Sequence, residues 1–249
     1  MLAINPFAAL SASIPPAVMQ AFVVVMIVLV AVGTLFDIVH KGSARYFFDN
    51  WRRARGKAPR LGAGKLASIA VQTAVVDVLG SGEFCNARRR VAHLLTMYGF
   101  VAHVIATVVL VFNPSASTLW PQLWWIGGLM VLAGGYWFWF FIRVDVAAEG
   151  NSPLRVTRAD LFILSLLASV TLGLLWAWLQ SWVLFGLYVL ATAVLFGSVP
   201  WSKFAHMFFK PAAAFEKRIS YANGTRSNLP APVDKPEQFG RIPKHARHY

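Results

Sequence analysis

Three histidines carry the chemistry this chain could perform. His93 and His103 stand ten residues apart in RRRVAHLLTMYGFVAHV (88–104), an apolar stretch opened by three arginines, and His206 closes the apolar run that starts at Trp182. Ionisable side chains within a membrane segment are costly and mark ion paths, proton relays or cofactor ligands. Two neutral imidazoles at one depth on facing helices are what axial ligation of a haem inside a helix bundle requires. A lone histidine near a helix end is most simply interfacial, so depth and pairing decide. His93 lies three residues past Arg90 and enters the apolar region from the arginine side. A helix from Trp182 to His206 would rise about 36 Å at ~1.5 Å per residue, which brings His206 back to that same side. His93 and His206 therefore form a pair. His103 lies about 15 Å deeper and is turned by roughly 80° from His93. A second haem there would need a partner from the outer half of another helix. That half of the last apolar run offers only Tyr188 and Thr192, with Met130 as a further candidate on another run. His40 is most simply interfacial beside Lys41, and His245 and His248 lie in the tail.

The elements that must hold these residues follow from composition. Of 249 residues, 57% are hydrophobic and 13% charged; a soluble domain carries roughly 25% charged residues. A membrane-crossing helix needs about 20 predominantly apolar residues. Five stretches qualify, at about 17–39, 91–112, 122–142, 160–180 and 182–206. The expected fold is thus all-α, an integral membrane five-helix bundle over residues 1–210, followed by a basic, Pro-rich tail at 211–249. All 23 Lys and Arg fall in 41–65, 88–90, 143–158 and 203–249, while 1–16, 113–121 and 180–182 hold none. By the positive-inside rule the N-terminus is outside (periplasmic) and the C-terminus cytoplasmic. The net charge of +13 is then a cytoplasmic face rather than a nucleic-acid footprint. It serves topogenesis and anionic lipid, with or without the docking of a soluble partner. No cleaved signal peptide is expected at the N-terminus.

Residues 66–79 (LASIAVQTAVVDVL) are too short to span and carry Gln72 and Asp77. They are expected as an interfacial helix on the cytoplasmic surface, or alternatively as a short re-entrant segment. The tail from 211 buries too little apolar surface to fold alone, so it is either disordered or an arm that orders along a partner. A single cysteine, Cys85, excludes an intrachain disulfide and any cysteine-ligated cluster built by this chain alone. Gly127-Gly128 and Gly134-Gly135 recur seven residues apart, with Gly99 and Gly173 inside other runs. Such glycines let helices, or a flat ring, approach closely, helix packing being the commoner reason. The run Tyr136–Phe141 is a lipid-facing and interfacial belt before it is a cofactor wall.

An interfacial helix, then RRRVAHLLTMYGFVAHV, WWIGGLMVLAGG, SPLRVTRADLFILSLL and VPWSKFAHMFFKP, in that order over residues 17–218, resembles the gamma-subunit-like cytochrome b family. This is the family of the membrane subunits of respiratory nitrate reductase and of heterodisulfide-reductase-like complexes. The resemblance implies haem b bound by His93 and His206 as inner ligands, with His103 matching one outer ligand. The fourth ligand, expected near Tyr188, is absent, which leaves His103 open to another role such as a hydrogen bond to a quinone carbonyl. The small size and long basic tail look like the AprM-type membrane anchors of dissimilatory adenylylsulfate reductase in sulfur-oxidising bacteria. That likeness implies a multi-pass protein of the bacterial cytoplasmic membrane. It would pass electrons between quinone and soluble cytoplasmic iron–sulfur/flavoprotein subunits docked on the basic face and tail. A cofactor-free structural anchor is the rival expectation. A transporter is disfavoured because Asp37 and Asp160 lie at the cytoplasmic edge and too few charges line the spans.

Overall fold

Pro16 opens the first long helix, its ring presetting φ and its missing N–H falling where no intrahelical partner exists. Helix α1 runs Pro16–Val39, 24 residues. The computed structural model describes residues 2–40, 45, 49, 52, 61–82, 84, 86–143, 156–157, 160–201 and 206–224, with 206–210 as backbone only. Among the described residues the chain is all-helical, with seven helices and no strand. After α1 come α2 (Ala63–Gln72, continued by a wider turn over Thr73–Leu79) and α3 (Ala87–Phe112). Next are α4 (Leu119–Trp137, widened over Phe138–Ile142), α5 (Leu161–Leu179), α6 (Trp182–Gly197) and α7 (His206–Ala222). Four of these are long and apolar enough to cross a membrane: Pro16–Val39, Ala87–Phe112, Leu119–Ile142 and Leu161–Leu179.

The chain divides into two units, Met1–Lys41 with Asn86–Met207, and Gly42–Cys85 with Phe208–Tyr249. This differs from the division expected at 210/211. In the first unit, Asn86 caps α3 by accepting from the N–H groups of Arg88 and Arg89 at 2.9 and 3.4 Å, satisfying donors that a helix start leaves open. Helices α3 and α4 are antiparallel: Gly99 faces Gly127, while Ala92 and Thr96, earlier in α3, face Gly134, later in α4. Helices α5 and α6 form a second antiparallel pair, in which Gly173 meets Tyr188 and Ser169 meets Thr192. Helix α5 also lies along α4, where Gly135 faces Leu167 and Gly128 faces Leu174. Arg143, buried and stacked 3.9 Å over the Trp139 ring, pairs with Asp160. Asp160 also accepts from Thr157 N and Oγ1 at 2.8 Å. This knot joins the end of the α4 run to the start of α5.

The last apolar helix is shorter than the run expected over 182–206. Helix α6 ends at Gly197 after 16 residues, about 24 Å of rise. The chain then makes a tight turn over Val199–Trp201. Pro200 supplies the reason, since it has no N–H to continue the helical ladder. The depth argument that carried a continuous helix to His206 therefore loses its basis.

The second unit is also more helical than the tail composition suggests. Helix α7 crosses the expected boundary at 210/211 and includes Pro211. Its interior is Ala212-Ala213-Ala214 followed by Glu216-Lys217-Arg218, all strong helix formers. Arg218 reaches the preceding helical segment. Its Nε and Nη2 donate to Asp77 at 2.6 and 3.0 Å, and Nη1 donates to Gln72 at 3.2 Å. The segment expected over 66–79 is helical over 63–79. Residues 225–249 of the expected tail lie outside the described residues.

Candidate functional site

The site grows from two adjacent glycines. Without Cβ atoms, Gly127 and Gly128 let the backbone of α4 lie directly on α3: a Cβ at Gly127 would fall 2.7 Å from His103 N, and one at Gly99 would fall 2.7 Å from Gly127 O. His103 sits in this seam, buried to 5% exposure. Its Nδ1 lies 2.8 Å from the carbonyl oxygen of Trp124. In a helix that carbonyl is shielded by the side chain four residues on, which here is Gly128. A Cβ at Gly128 would stand 3.2 Å from His103 Nδ1, so the glycine opens the imidazole's path. A carbonyl can only accept, so Nδ1 carries a proton and donates to it.

Trp124 closes the arrangement. Its ring lies 4.7 Å from that of His103, and its Nε1–H donates to Thr107 Oγ1 at 3.0 Å. The Thr107 hydroxyl in turn donates to the His103 carbonyl at 2.7 Å. Above this ring lies the N-terminal segment. Phe7 meets Trp124 edge-on at 5.9 Å and Trp176 at 5.4 Å, and Asn5 Nδ2 donates to Leu110 O at 3.0 Å. Fully buried Trp124 and Trp176 therefore cap one end of the unit with aromatic side chains from α4 and α5.

The three histidines occupy three different settings. His93 is exposed on α3. It lies two turns before Phe100, on the same helix face, and the Phe100 ring meets that of Phe196 near the end of α6 at 6.4 Å. His103 is buried against α4. His206 is the first residue of α7, and its side chain lies outside the described residues. Of the alternative partners considered for His103, Tyr188 packs on Gly173 and stacks 5.8 Å from Trp176. Thr192 Oγ1 lies 2.7 Å from Ser169 Oγ and donates to Tyr188 O at 2.8 Å. Both are engaged with α5 or with their own helix. Met130 lies along the α3 backbone, its Cβ 2.7 Å from where a Gly99 Cβ would stand.

Between α3 and α4 at His103 there is no space for a macrocycle, because the two backbones meet at Gly99, Gly127 and Gly134. The outer position does not fit a haem held in that seam. His93 is an exposed residue of α3, outside that seam. Among the described residues, no group of three or more His, Cys, Asp or Glu side chains could hold a bare metal ion. No protein-family model, no curated protein and no solved structure matches the chain.

The paired glycines signalled close helix approach in the sequence. The partners of His103 did not: a backbone carbonyl leaves no trace in residue types. Trp124 and Thr107 are common residues for a membrane helix.

Proposed function

We propose that the chain is a membrane anchor and electron conduit. Its five apolar helices fix it in the bacterial cytoplasmic membrane, N-terminus outside and C-terminus inside. Its basic cytoplasmic side recruits a soluble iron–sulfur/flavin oxidoreductase, adenylylsulfate reductase by the resemblance of the sequence. His93 and His206 hold one haem b, which when bound supplies a one-electron relay between that partner and membrane quinone. The observation that carries this reading is His93: an exposed imidazole on a membrane-crossing helix. Its face is the one that meets α6 at Phe196, and His206 follows on the same stretch of chain. His103 has a different task in this reading, locking α3 to α4 through the Trp124 carbonyl. The substrate chemistry belongs to the soluble partner.

A second reading, a cofactor-free anchor, is favoured by the closure of the α3–α4 seam and by the engagement of Tyr188 and Thr192. The two part on one measurement. Purified chain is assayed by pyridine haemochrome and visible spectroscopy, alongside His93→Ala and His206→Ala. One low-spin haem b per chain, lost in both variants, is expected. Absence of haem from the unaltered protein, or unchanged spectra in both variants, overturns the conduit and leaves the bare anchor.

A further inference from the structure

The helical segment 63–79 has two unlike sides. Ile69, Thr73 and Asp77 recur at four-residue intervals; the first two are buried at 5% exposure, and Asp77 is held by the Arg218 fork. Two positions on from each, about half a turn round the helix, stand Val71, Val75 and Leu79. These are exposed at 62, 55 and 52%. Ala67, Ala70 and Ala74 extend the same uncovered strip. The side of Ile69, Thr73 and Asp77 is thus covered, with Arg218 on Asp77 and also reaching the exposed Gln72, while Val71, Val75 and Leu79 are uncovered.

We infer that this strip lies in the interfacial layer of an anionic bilayer leaflet, which makes the clamped pair of α7 and segment 63–79 a membrane-surface module. The inference rests on the membrane placement of the long helices and is independent of any haem. Three observations select lipid over a protein partner. Alanine, valine and leucine give a smooth strip without the Trp, Tyr or Arg anchors that concentrate binding energy at protein interfaces. Six Lys and Arg fall between residues 52 and 65, directly before the strip, and Arg88–Arg90 follow it; such clusters beside a membrane segment attract anionic headgroups. The chain enters the membrane-crossing helix α3 at Ala87, only a few residues after Leu79. An amphipathic helix with cationic flanks binds an interface through both apolar burial and charge.

The test uses the full chain in vesicles of phosphatidylcholine with and without phosphatidylglycerol. In a Cys85→Ser background, an environment-sensitive fluorophore is attached at Val75→Cys or at Val101→Cys, the latter 46% exposed on the membrane-crossing α3. Both probes are expected to emit blue-shifted light and to lose most of it to doxyl-labelled lipid, Val75→Cys more strongly when phosphatidylglycerol is present. Water-like, unquenched emission at Val75→Cys with quenching at Val101→Cys overturns the inference and leaves the membrane reading standing. Loss of quenching at both positions overturns both. Shielding of Val75→Cys only on addition of a soluble protein assigns the strip to a protein partner and also overturns the inference.

Discussion

The two antiparallel helix pairs solve one problem by different means. Between membrane helices there is little hydrophobic driving force, so association depends on packing and on polar contacts. Helices α3 and α4 meet backbone to backbone: hypothetical Cβ atoms at Gly99, Gly127 and Gly134 stand 2.5–2.8 Å from carbonyl oxygens, amide nitrogens or a facing Cβ. Helices α5 and α6 meet through side chains, with Gly173 receiving the ring of Tyr188 and Ser169 bonded to Thr192. A backbone contact cannot yield, whereas a side chain can rotate. The first pair is a rigid seam into which His103 is built; the second is an adjustable one. The first seam leaves no room for a planar cofactor between its two backbones.

The largest effect expected from this contrast is at Gly134. An added methyl group would meet Ala92 O at 2.5 Å and Thr96 Oγ1 at 2.6 Å, so Gly134→Ala must part the helices. Overpacking of this kind costs about 1–3 kcal/mol, with Gly127→Ala close behind. Gly173→Ala meets only the edge of the Tyr188 ring at 2.9 Å and should cost less. Gly186, within α6, has nothing within 4 Å, and its replacement by alanine should be neutral or stabilise by up to ~1 kcal/mol through helix propensity. Thermal unfolding of the four purified variants orders them. Equal shifts for Gly134→Ala and Gly186→Ala would break the comparison.

The next effect separates the two histidines of α3. His103→Ala removes the bond to the Trp124 carbonyl and opens a cavity beside Trp124. Hydrogen bonds between membrane helices contribute about 0.6 kcal/mol on average and up to ~1.7, to which the lost packing adds. Under the proposed function this variant keeps its haem and loses stability. His93→Ala, at an exposed position on the same helix, should lose haem. Paired haemochrome and unfolding measurements read both. Haem lost in His103→Ala with stability intact would reassign the ligand and contradict the closed seam.

What the sequence makes legible here is governed by signal length. Long apolar runs place helices well: the run expected at 17–39 is observed at 16–39, and that at 160–180 at 161–179. The end of α6 is harder, because hydropathy continues through Val199 and Trp201 while Pro200 stops the helix. The start of the tail is missed for the opposite reason. Averaged over 211–249 its prolines dominate, and the local Ala212–Ala214 helix signal is diluted. Pairing within the site follows the same logic. Gly127 and Gly128 announce a close approach, but that the approach delivers His103 to a carbonyl depends on the rotation of α4 against α3, which no residue type encodes. That His93 and His103 share one helix was readable; what each faces was not.

The smallest effect lies in the adjustable pair. Ser169 Oγ and Thr192 Oγ1 are 2.7 Å apart and buried, and Thr192 also bonds Tyr188 O on its own helix. Thr192 therefore retains a partner when Ser169 is replaced by alanine, and the Trp176–Tyr188 stack remains to hold the helices together. A double-mutant cycle of Ser169→Ala and Thr192→Val should return a coupling of about 0.6 kcal/mol, the average for such bonds in membranes. That is well below the cost of a methyl group at Gly134. A coupling as large as the Gly134 effect would mean that the second pair is also locked by a contact that cannot yield, and the distinction between the seams would vanish. A coupling of zero would leave the ring of Tyr188 on Gly173 as the contact that holds α5 to α6, and would sharpen the distinction further.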